Sequence, residues 1–309
     1  MQKIVRGQPL LINKNLGSAE LTTAAQLTST NADGLPVIPP TVKQMYDFDR
    51  NGWLLIPGVL SGDELAEIQA YCERLIHAPG RIPNLDTGKG AASMSGPLEK
   101  LMDHPIIVGF LNEFLAYAPC ASEDSYGFRM ETSMLFHRSV KHQQRPFSPH
   151  NGNGLLRPPW DSHYYRCVPG KVWSGLTRVV WELNPVKYRQ GGTLFISGSH
   201  KAAYPVPESA RLDEQSPIWE SYSCPAGSVI IFTESTSHSS ATWTDAETDR
   251  LAIFNLYNAV AHRWYDWLPD ADTLAQMHPK RQSLFRDVHV VNNVETGQFH
   301  ERVSPFEEA

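Results

Sequence analysis

From Tyr46 onward, apolar and polar positions follow two successive rhythms. "YDFDRNGWLLIPGVLSGDELAEIQAYCERLI" predicts the end of a short helix, a turn at Asn51-Gly52, a strand over Trp53 to Ile56, and then a helix. Ser61, followed three residues later by Glu64, predicts a capping box ahead of a face carrying Leu65, Ile68 and Leu75. A second helix is predicted from Pro105 to Tyr117, where Ile106, Phe110, Leu111 and Phe114 recur at helical spacing. After it the texture changes to short apolar runs broken by Gly, Pro, Asn and Ser: "FRMETSMLFHRS", "KVWSGLTRVVWELN", "GTLFISGSH", "GSVIIFTES" and "DRLAIFNLYN". Such runs predict a mostly β protein with flanking helices, its strands forming an antiparallel barrel or jelly roll whose mouth can hold a ligand. Residues 1–45 look like an N-terminal arm packed on the core, and 46–309 like a single domain.

Composition narrows the function classes. A net charge of -6 argues against a general partner among nucleic-acid polymers, since sequence-independent phosphate binding needs a basic surface. Cys72, Cys120, Cys167 and Cys224 are scattered without C-x-x-C spacing, so they are expected to be reduced and mostly packed. The N-terminus lacks a basic-then-apolar signal, and the chain lacks an apolar run of ~18 residues. A cytoplasmic protein without membrane spans is therefore expected.

The candidate chemistry centres on histidine. None of the 12 histidines has Asp or Glu two residues later, the pair with which many non-haem iron sites begin. His238 stands out by position, because it follows the strand "GSVIIFTEST", and the chain returns to a further strand that opens at Arg250. That return can place both side chains in one barrel mouth, where an arginine suits a carboxylate. An Arg250 pair with Asp249 or Glu247 at the surface is the alternative. Around "RPFSPHNGNG" lie Arg138, Lys141, Arg145, Arg157, His163 and Arg166, a local basic cluster in an acidic chain. This cluster suits an anionic small-molecule substrate, although pairing with Asp161 or Glu131 would account for some of it equally well. Trp160, Tyr164, Tyr165 and Trp173 add flat surfaces that could serve either the core or a stacked ring.

"DFDRNGWLLIPGVLSGDELAEI", "GLTRVVWELNPVKYRQGGTLFISGSHK" and "AGSVIIFTESTSHSSATWTDAETDRLAIFNLY" resemble, in order and spacing, segments of the phytanoyl-CoA dioxygenase-like proteins. The resemblance covers roughly residues 46–265. It implies a double-stranded β-helix (jelly roll, cupin-like) carrying Fe(II), 2-oxoglutarate and O2 chemistry. His150 and His238 would be the metal ligands, Arg250 would bind the distal carboxylate of 2-oxoglutarate, and Ser240 would assist.

The departure from the family pattern is Gly152, where its common members carry aspartate. Related aliphatic halogenases have Gly or Ala there, which leaves a coordination position for chloride. The resemblance thus points to a halogenase in secondary metabolism, in which a substrate radical captures chlorine instead of hydroxyl. A hydroxylase completing its metal shell with water or a distant acid, and a non-catalytic binding protein, are the alternatives. Related halogenases act on free nucleotides, and a nucleoside monophosphate is the substrate suggested, with Arg138, Lys141, Arg145, Arg157, His163, Trp173 and Arg178 as candidate contacts. An amino acid or an alkaloid-like scaffold would also suit the chemistry.

Overall fold

The computed structural model describes residues 27–77, 94–142, 147–151, 164–265 and 268–288. Helix α1 (Val42–Asn51) starts at a Thr41–Gln44 capping box and stops at Gly52, whose φ of 81° is the left-handed conformation in which glycine ends helices cheaply. Strand β1 (Trp53–Ile56) and helix α2 (Gly62–Ile76) follow. Ser61 precedes α2 as expected, but its hydroxyl makes no capping bond, so the box anticipated with Glu64 is not formed. Two further helices, α3 (Glu99–Met102) and α4 (Pro105–Phe114), precede the barrel. The second ends before the expected Tyr117, because the Phe114 carbonyl accepts from the Ser174 N–H at 2.8 Å and the Ser174 hydroxyl at 3.2 Å. The boundary anticipated after residue 45 falls inside α1.

The remaining strands are β2 (Phe128–Arg138), β3 (Arg166–Val168), β4 (Lys171–Trp173), β5 (Thr177–Glu182), β6 (Thr193–Phe195), β7 (Ser228–Thr233), β8 (His238–Ser240) and β9 (Arg250–Ala259). A five-stranded antiparallel sheet in the order β1-β7-β5-β9-β2 faces the β6-β8 pair, and β3-β4 forms a separate hairpin. This is a double-stranded β-helix, mostly β with helices outside.

Period-two alternation explains why its central strands look uniformly apolar. Val179, Trp181, Val229, Ile231, Leu251 and Ile253 belong to one core cluster with the helix residues Phe48, Ile68 and Phe110. The alternate residues Val180, Ile230, Phe232 and Ala252 cluster instead with Phe195 of β6 and with Trp243. Phe195 lies 4.9 Å from Trp53 in a stacked pair and meets Phe232 edge-on at 5.1 Å. The interior face of the sheet thus carries even-numbered residues of β5, β7 and β9, and by the same alternation Arg178, Glu182 and Arg250 point to the interior side.

Gly52 also builds the approach to the interior. A Cβ there would meet the Thr236 hydroxyl at 2.3 Å and the His200 ring at 2.5 Å. Its carbonyl accepts from Thr233 N–H and the Thr236 hydroxyl, both at 3.1 Å, which ties α1 to the turn ahead of β8. His200, fully buried, donates from Nε2 to the Asp49 carbonyl at 3.0 Å. Burial pulls its pKa down from 6.5 to about 4, so the folded protein holds it neutral while the unfolded chain protonates it. Stability contributed by neutral His200 is present above pH ~6.5 and is lost as pH falls towards about 4, by up to about 1.4 kcal/mol per pH unit. Urea unfolding should therefore show a smaller fall in stability from pH 7 to pH 5 for His200→Gln than for the wild type. Parallel curves would remove His200 from the acid response.

Three cysteines are buried and Cys167 is exposed, all with free thiols. No described helix is long and apolar enough to cross a membrane.

Candidate metal centre

His150 and His238 come together through backbone pairing. Each one's N–H donates to the other's carbonyl at 3.1 Å, forming an antiparallel bridge beside β8. Ser148 N–H donates to the Ser239 hydroxyl at 2.8 Å, and the Ser237 hydroxyl donates to the Asn151 carbonyl at 3.2 Å, pinning the segment on both sides. Asn151 takes a φ of 59°, a left-handed conformation that asparagine tolerates better than most residues.

The imidazole rings lie 4.2 Å apart, centroid to centroid. His150 Nδ1 is 2.7 Å from the Ser148 carbonyl, and His238 Nδ1 is 2.8 Å from the Thr236 carbonyl. A carbonyl can only accept, so both Nδ1 atoms carry the proton and both Nε2 lone pairs are left for a ligand. Burial, followed by the neighbouring His150, drives the pKa of His238 down to about 3, keeping it neutral as metal binding requires.

A carboxylate joins them from an unexpected place. Glu234, between β7 and β8, brings its Oε2 to 3.6 Å from His238 Nε2, and one ligand atom from each of His150, Glu234 and His238 lies within 4.8 Å of the others. Glu234 lies four residues before His238 and not two residues after a histidine, so the H-x-D/E spacing does not reveal it. Both carboxylate oxygens are engaged: Oε1 accepts from Arg178 Nε at 2.9 Å and lies 2.8 Å from Arg178 Nη2, while Oε2 accepts from Asn151 Nδ2 at 2.6 Å. The pair is buried, and Arg178 Nη1 has no partner among the described residues.

The same interior holds a second polar group further along the strands. Arg250 grips Glu182 through Nη2 to Oε1 and through Nε to Oε2 at 3.1 Å, and it reaches the Thr193 hydroxyl at 3.1 Å. The Tyr222 hydroxyl donates to Glu182 Oε1 at 2.6 Å. Arg250 therefore pairs with a buried acid of β5 rather than with Asp249 or Glu247. Asp249 instead lies 2.9 Å from the ring of His137. Arg138 stands opposite Arg250 in the β2-β9 register and donates to the Ser240 hydroxyl at 2.8 Å. Glu131, considered as a partner for the basic cluster, is taken by Arg129 at 3.2 Å.

Of the remaining candidates, Lys141 is exposed, and Trp173 lines a cavity of about 240 Å³ with Tyr164, Arg166, Gly175 and His262. Leu176, next to Gly175, accepts from Glu234 N–H at 2.8 Å, so this cavity adjoins the Glu234 end of the sheet. A larger groove of about 570 Å³ runs between α1, α4 and the β3-β4 hairpin and contains none of the polar interior residues, so volume does not locate the chemistry. Tyr165 is a core residue whose hydroxyl donates to Asp49 at 2.8 Å. Gly152, Arg145, Arg157, Trp160 and His163 lie outside the described residues.

A double-stranded β-helix that brings two histidines together with both Nε2 atoms directed away from their carbonyl partners has the architecture of cupin-like metal-binding proteins. Residues 48–250 match the family described as Phytanoyl-CoA dioxygenase (PhyH), and the chain belongs to that family of Fe(II)- and 2-oxoglutarate-dependent oxygenases. HygX from Streptomyces hygroscopicus, solved with nickel and 2-oxoglutarate bound, is similar at 21% identity and a TM-score of 0.61, covering 74% of this chain and 91% of that one. EctD from S. alaskensis, in its apoform, is similar at 18% identity and a TM-score of 0.51, covering 84% of this chain and 91% of that one. SnoK, a non-haem alpha-ketoglutarate-dependent carbocyclase from nogalamycin biosynthesis, is similar at 19% identity and a TM-score of 0.51, with 81% and 94% covered. These likenesses carry the fold. No curated protein matches the chain.

Proposed function

We propose that this protein is an Fe(II)- and 2-oxoglutarate-dependent halogenase that chlorinates an unactivated aliphatic carbon of a small anionic substrate. The observation that carries the reading is Gly152: two residues after His150 the chain offers no ligand atom where its family usually places an acid. The bound metal, with 2-oxoglutarate and O2, supplies oxidation of an aliphatic C–H bond. His150 and His238 would hold that metal through neutral Nε2 atoms whose orientation is set by the Nδ1 bonds to the Ser148 and Thr236 carbonyls. The position left by Gly152 is the one assigned to chloride.

Glu234 favours a second reading, a hydroxylase that borrows this carboxylate as its third ligand. Its attachments weigh against that role. Arg178 compensates its charge and Asn151 occupies the oxygen nearest His238, so the carboxylate is anchored as half of a buried ion pair. Arg178 Nη1–H remains available to an anion at this end of the interior. Lys141, Arg145, Arg157 and His163 are assigned to the substrate's negative group and Trp173 to a stacked ring, which together suit a nucleoside monophosphate.

The test is a crystal of the anaerobic iron complex with 2-oxoglutarate, soaked in bromide, together with product masses from a panel of nucleoside monophosphates with and without chloride. A bromine anomalous peak at coordinating distance from the metal, and product carrying chlorine, are expected. A Glu234 oxygen in that position, with oxygenated product indifferent to chloride, would establish the hydroxylase instead. Glu234→Gln sharpens the distinction: metal stoichiometry survives if Glu234 only braces Arg178, and metal affinity falls by roughly 10-fold or more if it is a ligand.

A further inference from the structure

The cavity of about 240 Å³ beside Trp173 lies on the other side of the sheet from the metal-binding interior. Leu115 belongs to the core cluster under the helices, and Ala259 packs against that cluster, so these two lining residues set the cavity outside the barrel. It still reaches the rim. Gly175, also in the lining, is one residue from Leu176, whose carbonyl accepts from the Glu234 N–H at 2.8 Å. Two small residues account for the space: Gly175, whose φ of 65° is left-handed backbone that favours glycine, and Ala259 at the end of β9.

The rest of the lining selects a class of ligand. Trp173, at the end of β4, and Tyr164, just before β3, supply aromatic surface. Arg166 is exposed, stands 5.7 Å over the Tyr164 ring, and pairs with no carboxylate among the described residues. No Asp or Glu among the described residues lines the cavity. Aromatic walls with an uncompensated cation at the rim and no acid favour a planar ring rich in acceptor atoms over an aliphatic or a cationic group. Volume limits how much of the ligand enters. Pockets that enclose a whole drug-sized molecule run from about 300 to 1,000 Å³, so this one takes a single ring system and leaves the remainder outside.

We infer that this cavity receives the base of a nucleotide substrate, against Trp173 and with Arg166 at its rim, while the sugar and phosphate remain at the barrel mouth. The inference rests on the nucleoside monophosphate reading above and deepens it. Preference for a base is then set at the ends of β4 and β9, on the helix side of the sheet, and not by residues around the two histidines.

The experiment is calorimetric titration of the anaerobic protein, loaded with Fe(II) and 2-oxoglutarate, with the 5′-monophosphates of adenosine, guanosine, cytidine and uridine and with ribose 5-phosphate, which lacks a base. The best-bound nucleotide should bind at least about 10-fold more tightly than ribose 5-phosphate, the scale of a base stacked on an aromatic side chain. Trp173→Ala should remove most of that ratio and Trp173→Phe should keep most of it. Ala259→Leu should also remove it, by filling the space, while the melting temperature holds or rises, so the loss does not come from unfolding. If Trp173→Ala or Ala259→Leu keeps the wild-type ratio, the base lies elsewhere and the inference is overturned, with the nucleotide reading intact. Equal wild-type binding of nucleotide and ribose 5-phosphate overturns it as well. If the wild type binds none of these ligands, the nucleoside monophosphate reading fails and the inference fails with it. The titration does not read the product, so an oxygenated product would overturn the halogenase reading and leave the base site standing.

Discussion

His150→Ala and His238→Ala are each expected to lose stoichiometric Fe(II) binding and all turnover. On the proposed assignment, with Gly152 in the usual acid position and Glu234 tied to Arg178, two imidazoles would supply the protein's share of the coordination, and either substitution would leave one. Loss of an outer partner of a metal-bound histidine typically costs roughly 10- to 100-fold in metal affinity, and loss of the ligand itself should exceed that. The two variants should differ in stability. His150 is exposed, so its truncation leaves the barrel intact. His238 is 6% exposed, packs 4.6 Å from the Phe232 ring and holds the Thr236 carbonyl, so its truncation opens a cavity and strands an acceptor. Equilibrium dialysis with metal analysis, alongside thermal unfolding, separates the effects. Full metal occupancy in either variant would refute the ligand assignment.

Gly152→Asp is expected to eliminate chlorinated product. A carboxylate two residues after His150 would compete for the coordination position assigned to chloride, and a charged oxygen ligand carried by the chain has the advantage of proximity over a free halide. Hydroxylation need not replace chlorination, since a misplacement of about 1 Å can cost ~100-fold in rate. Metal affinity should rise or hold, whereas a variant that had merely misfolded would lose metal as well. Product mass in saturating chloride is the deciding measurement. Chlorinated product at the wild-type rate would mean that residue 152 does not border the halide position.

These two substitutions also mark the boundary between local and long-range information. The turn at Gly52, the strand at Trp53, helices near Ser61 and Pro105, and the short strands of the barrel were all legible, because periodicity and turn chemistry act over a few residues. The Ser61 cap was not, since a hydroxyl in the right register still has to point at the helix. The order of His238, Ser240 and Arg250 marked that stretch as a candidate site, and the structure brings His150 to His238 through a backbone bridge.

What each polar side chain does there was decided elsewhere. Glu234 became a neighbour of the histidines because its N–H extends the β5-β7 ladder to the Leu176 carbonyl just before the chain turns, through the Thr236 N–H to Thr233 carbonyl bond, into β8, a placement that no spacing rule anticipates. Arg250 found Glu182 because β5 and β9 pair in a register that sets Glu182 against Ala252. Arg138 hydrogen-bonds to no acid among the described residues, because the same sheet places it opposite Arg250, which takes Glu182 directly. The sequence by itself determined the elements, the fold class and the absence of an acid at residue 152, because these depend on residue type and short-range spacing. Which buried charges find a partner was settled by tertiary structure alone, because strand register and burial bring together residues far apart in the chain and remove the water that would otherwise solvate them.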